Sequence, residues 1–270
     1  MENKINQRQI VGFFSLTFII SWGCWLLLPR ITDIPQHIIL MLGTFGPSTV
    51  GLILALVTDS FQGFTRLLKK AFIWRVGIQW YLVSFVGAAV IILIALFLHQ
   101  LNGGVVIQLN DPRQWYLIFP GFLQVLFFSV IGEEFGWRGF ALPRLLKQFN
   151  PLVSSIILGL LWGVWHLPLW WMPGNFHSQI PLLLFILHDV ALSILMTWIY
   201  QNTKGSLLIA LIFHTSVNLT IGVSPILPEG TGGSLLPLWY AFGLLWCCTA
   251  FVVVRNGKNL RKEAVGMKES

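Results

Sequence analysis

Charge is what this chain has least of. Charged residues make up 10% of its 270 positions, where a soluble domain carries roughly 25%. With 56% hydrophobic residues and a mean hydropathy of +0.76, a water-soluble globule is excluded. Cysteine is almost as scarce. Cys24, Cys247 and Cys248 all fall in apolar stretches, so no disulfide framework is implied and they read as small buried hydrophobes. There is no low-complexity tract and no internal repeat at a fixed period. The duplicated halves common in secondary transporters are therefore missing too.

What is present is apolar sequence in long runs. A bilayer core of about 30 Å needs roughly 20 apolar residues per helix. Eight stretches qualify, at about 10–29, 37–57, 78–99, 115–132, 152–172, 180–200, 206–222 and 235–254. The first has Lys4 and Arg8 ahead of it, like a signal peptide. It is too long for that and has no small-residue cleavage site after it, so it reads as a retained helix. The expected architecture is an all-α bundle of about eight transmembrane helices. Residues 1–270 form one integral-membrane domain, multi-pass in the cell membrane. The C-terminal Met267-Lys268-Glu269-Ser270 is no prenylation box.

The net charge of +7 does not point to nucleic acid, because its distribution is topological. With eight spans and the N-terminus inside, the inner segments hold fifteen of the seventeen Lys and Arg residues, and the outer loops only Arg30 and Arg113. That asymmetry places both termini in the cytoplasm and turns the basic face toward anionic lipid heads. In the inner loop from Thr58 to Gly77, apolar residues at 61, 64, 68 and 72 sit among Arg66, Lys69, Lys70 and Arg75. The spacing predicts an interfacial amphipathic helix. Many of the tryptophans (Trp22, Trp80, Trp115, Trp170, Trp171, Trp239) lie near span ends, as in an aromatic belt. Trp137, Trp162 and Trp165 instead cluster with the ionisable residues.

Those ionisable residues form a short set on four consecutive spans. Glu133, Glu134 and Arg138 end the fourth; His166 lies in the fifth, His188 and Asp189 in the sixth, His214 and Asn218 in the seventh. A carboxylate at membrane depth costs roughly 2.5 to 3.5 kcal/mol or more, so such a concentration implies one shared internal site. Glu134 and Arg138 stand at i and i+4, the order that favours a helical ion pair. Glu133 points about 100° away around the helix and is left as the free carboxylate, suited to general-base work near the inner end of its span. Pro168 denies Val164 its helical bond and predicts a kink beside His166. His214 and Asn218, again at i and i+4, share one groove, where two neutral donors suit a developing oxyanion. Adjacent His188 and Asp189 cannot aim at one point. Asp189 either orients a site histidine or pairs with Arg138.

These residues resemble the motifs of the CPBP intramembrane endopeptidases, which include the type II CAAX prenyl proteases and bacteriocin-processing and immunity relatives. Glu133-Glu134-Phe135-Gly136-Trp137-Arg138 matches Glu-Glu-x-x-x-Arg. Trp162-Gly163-Val164-Trp165-His166 is similar to aromatic-x-x-x-His, with Trp where Phe is usual. His214-Thr215-Ser216-Val217-Asn218 matches His-x-x-x-Asn. The resemblance covers about Leu117 to Leu219, within a motif-bearing core of about 115–222. It implies that Glu133 and His166 activate a water, that His214 and Asn218 stabilise the oxyanion, and that Glu134 and Arg138 hold the first motif in place. It leaves the cofactor open. Glu133, His166 and His214 would make a His2Glu zinc set, there is no His-Glu-x-x-His, and the same residues suffice without metal.

The function this implies is an intramembrane endopeptidase acting on a membrane-associated or lipidated peptide. Its partners would be that substrate and membrane lipids. Two alternatives come from other classes: a non-catalytic bacteriocin-immunity protein of the same fold, or a proton-coupled transporter using the buried Glu, Asp and His.

Overall fold

The computed structural model describes residues 2–31, 33–104 and 112–261. Lys262, Lys268 and the C-terminal tetrapeptide lie outside them. Among the described residues there are helices and no strand. They form α1 (Glu2–Ile31), α2 (Gln36–Thr44), α3 (Gly46–Lys69) and α4 (Ile78–Leu101), then the composite α5 over Trp115–Leu145. After it come α6 (Pro151–Trp165), α7 (Leu182–Asn202), α8 (Leu207–Val223) and α9 (Leu236–Asn256). Seven helical segments are long and apolar enough to cross a membrane; the eighth expected span, α8, is shorter at 17 residues. The chain is a multi-pass integral membrane protein. α1 is part of the bundle: Phe13 and Trp25 are buried in the same core as Trp137, Trp165 and Ile199.

The ends of the helices sort as the loop charges do. Arg144 near the end of α5 binds Asp59 of α3 at 2.5 Å and Gln9 of α1 at 2.9 Å. Beside it Lys70 donates to Tyr200, Ser206 to the Ile73 carbonyl and Asn202 to the Leu260 carbonyl. At the other end Gln36 donates to Pro173 and Gln179 bonds Glu229.

Three sequence expectations change. α3 does not stop at the end of its span. It bends at Ser60 (φ 65°) and runs on to Lys69, leaving Phe61, Phe72 and Trp74 exposed while Leu67 is buried. Cys247 and Cys248 are exposed rather than buried, and both line the cavity described below. Trp22 does not stand in a belt; its indole donates to the Trp165 carbonyl. Trp115, Trp171 and Trp239 are exposed, whereas Trp137, Trp162 and Trp165 are buried.

Glycine sets how closely the site-bearing helices approach. A Cβ on Gly136 would lie 2.3 Å from the Pro47 carbonyl oxygen, so only glycine lets α3 pack on the first motif. On α6, Gly159 and Gly163 stand four apart. A Cβ on either would come within 3.0 Å of the α7 backbone, at Val190 and Ile186. Small residues at this spacing bring membrane helices together without a hydrophobic drive, and here they bring α7 against the helix that carries His166.

Candidate active site

α5 is not a uniform helix. Two π-helical stretches, Leu126–Val130 and Phe135–Ala141, flank one α-turn, Ile131–Glu134. Such widened turns often mark functional sites, and this one carries the glutamate pair. The pair does not end the span, as the apolar run suggested, because the helix continues to Leu145. Glu133, Glu134 and Arg138 are 3%, 0% and 0% exposed, so they are satisfied inside the protein. The helix continues past the pair to Arg144 and Leu145, so the glutamates are followed by further helix and not by a loop.

Glu134 is the centre of the charged set. Its Oε1 accepts from Arg138 Nη1 at 2.8 Å and from His214 Nδ1, also at 2.8 Å. Nε2 of His214 is then the acceptor for the Asn218 amide at 3.2 Å. His214 and Asn218 do share a groove. His214 spends both ring nitrogens on neighbours, however, so of the two it is Asn218 whose amide retains a donor to spare. The expected pair of oxyanion donors is reduced to one, with His214 behind it.

Glu133 faces elsewhere, as the helical geometry requires. Its Oε2 accepts from the indole nitrogen of Trp162 at 2.8 Å. Trp162 also holds His166, whose Nδ1 lies 2.9 Å from the Trp162 carbonyl oxygen; as the donor, Nδ1 leaves Nε2 as the ring's free lone pair. Pro168 acts differently from a kink: α6 ends at Trp165 and a 3-10 turn, Leu167–Trp171, follows. A proline disfavours helical continuation at the residue before it, so His166 stands near the helix end.

Asp189 resolves one alternative. Its carboxylate lies 3.5 Å from His166 Nδ1 and 3.4 Å from His188 Nδ1, beside the site histidine and not paired with Arg138. His177 went unnoticed in the sequence, where a histidine in a short loop carries no periodic signal. It is buried, stacks on His166 with ring centroids 5.4 Å apart, and bonds Asn175 at 2.6 Å. Burial, and then His166, push its pKa from 6.5 down to about 2, which keeps it neutral.

Glu133, His166, His177, Asp189, His214 and Asn218 all line one cavity of about 1550 Å³. From the site the cavity runs between α4, α7 and α9, past Leu195 and Leu245, to Asn202 and Arg255. Glu133, His166 and His214, which the sequence left open as a zinc set, are not grouped as one. Among the described residues no three His, Cys, Asp or Glu side chains are grouped to hold a metal. The reason is visible at His214, whose two nitrogens serve Glu134 and Asn218.

Residues 113–220 match the family model described as type II CAAX prenyl endopeptidase Rce1-like. The match covers the motif-bearing part of the chain. All three motifs, from Glu133 to Asn218, lie inside the match. The chain is also similar to CAAX prenyl protease 2 of Methanococcus maripaludis, at 25% identity over 227 residues, 77% of this chain and 82% of the relative. The matched segment corresponds to α5 through α8 and the turns between them.

Proposed function

We propose that the protein is an intramembrane endopeptidase that hydrolyses a peptide bond in a membrane-associated or lipidated peptide. The observation that carries this reading is that Glu133 and His166, from different helices, are both held by Trp162 and both line one large apolar cavity. A water between them would lose a proton to Glu133 as its oxygen attacks the scissile carbonyl. His166 would orient that water through Nε2. The Asn218 amide would donate to the carbonyl oxygen as charge develops there, and His214, fixed by Glu134, would hold Asn218 in place. The proton on Glu133 would then pass to the departing amine. Arg138 would hold Glu134 in position. The Rce1-like match and the name of the archaeal relative support peptidase activity on a lipidated chain, and the apolar cavity has room for a lipid tail beside a peptide.

No step in this scheme runs through a metal. Purified protein in lipid nanodiscs should cleave a quenched fluorescent lipopeptide at an unchanged rate after exhaustive chelation. A loss restored by zinc would replace the scheme. In the same assay Glu133→Gln and His166→Ala should each lower kcat at least about 100-fold, the usual scale for a general base, with the protein still folded. Full activity in both variants would refute the reading. Protection against a bacteriocin that survives Glu133→Gln would favour the immunity function instead.

A further inference from the structure

Trp162 meets four residues of the site, Glu133, His166, Arg138 and His214. It is 2% exposed. Its indole N–H meets Glu133 Oε2 at 2.8 Å, and its carbonyl receives His166 Nδ1 at 2.9 Å. One face of its ring lies 4.2 Å from the Arg138 guanidinium carbon. Its edge meets the His214 ring at 5.1 Å and 82°. Phenylalanine, the usual aromatic at this motif position, could make the two ring contacts and the backbone bond. It could not make the bond to Glu133, because it has no donor.

We propose that Trp162 is a positioning residue that holds the Glu133 carboxylate by one oxygen, so that the other is presented to the cavity beside His166. A carboxylate in an apolar wall without such a donor can turn about its terminal torsion, which is broad for glutamate. It can also be drawn toward the cation at Arg138, one turn along the helix. With Oε2 tied to an indole whose own backbone carbonyl orients His166, the base and the imidazole are set by one rigid residue. The indole thus links the carboxylate of α5 to the α6 residue that orients His166. The proposal rests on Glu133 acting as the base, as argued above.

The test replaces the N–H and nothing else. 3-Benzothienylalanine at position 162 keeps the shape of the indole and substitutes sulfur for the donor. Trp162→Phe is the genetically simpler companion. Hydrogen bonds to charged groups of this kind correspond to roughly a tenfold effect or more. Both variants should therefore lower kcat about tenfold with KM within twofold and the melting temperature near that of the parent. Placing Trp162→Phe in a Glu133→Gln background should cost nothing further. Unchanged kcat in the benzothienyl variant would overturn the proposal. So would a loss that appears only in KM, or one that persists in full in the Glu133→Gln background. The two readings fail differently: an active Glu133→Gln protein removes the base itself, whereas an inactive one beside a fully active benzothienyl variant removes only the role of Trp162.

Discussion

Two arginines six residues apart on α5 live under opposite rules. Arg144, near the end of the helix, has several partners: Asp59, Gln9, the Phe140 carbonyl and the face of the Phe140 ring. It ties α1, α3 and α5 together where water can reach. Arg138 is wholly buried. Among the described residues its hydrogen-bonding partner is Glu134, and its Nε and Nη2 make no hydrogen bond. Its guanidinium also lies over the face of Trp162. A buried ion pair gains little net stability over apolar packing, yet removing one partner is strongly destabilising. The difference separates a fastening at the edge of the bundle from a buried pair within the candidate site. Arg144 closes the bundle at its edge, while Arg138 is bonded to the same Glu134 oxygen that meets His214.

The sharpest way to break that contrast is Arg138→Met. It strands Glu134 at zero exposure, so a loss of about 3–5 kcal/mol is expected, seen as a collapse in melting temperature and yield, with no peptidase activity. Adding Glu134→Leu should restore much of the melting temperature and none of the activity; recovery of activity would mean the pair is only structural. Next in size is Asn218→Ala. It removes the proposed oxyanion donor without disturbing the charged pair, and should lower kcat about 100-fold at nearly unchanged stability. Equal activity in a single-turnover assay would reassign the donor. The smallest effect belongs to Arg144→Ala. Its pair with Asp59 is partly open to solvent (10% and 34% exposed), so thermal unfolding should show a loss of about 1 kcal/mol, with kcat/KM within twofold. A large activity loss there would erase the distinction between the two arginines.

The same contrast shows which parts of the site could be read in one dimension. Glu134 with Arg138 and His214 with Asn218 were both legible as i, i+4 pairs, and both bonds are present at 2.8 and 3.2 Å. The separation of Glu133 from Glu134 onto different faces was equally local and equally visible. The bond from His214 to Glu134 was not, since it joins residues 80 apart in the chain. It changes the chemistry by using the donor that the sequence alone left free for an oxyanion. Trp162 was noticed as a substitution for phenylalanine, but its hydrogen bond to Glu133 depends on how α6 lies against α5. His177 carried no signal at all, because a loop has no periodicity to violate.

Hydropathy and the placement of Lys and Arg determined, from the sequence alone, that this is a membrane bundle, which residues are buried at cost, and which pairs share a helix face. Those properties follow from the bilayer and from the 3.6-residue helical repeat, and both act along the chain. Only the tertiary structure decided that Glu134 serves His214, that Trp162 holds both Glu133 and His166, and that His177 lies against the site. Such contacts depend on the approach and rotation of whole helices, which close packing at Gly136, Gly159 and Gly163 permits and no local pattern encodes.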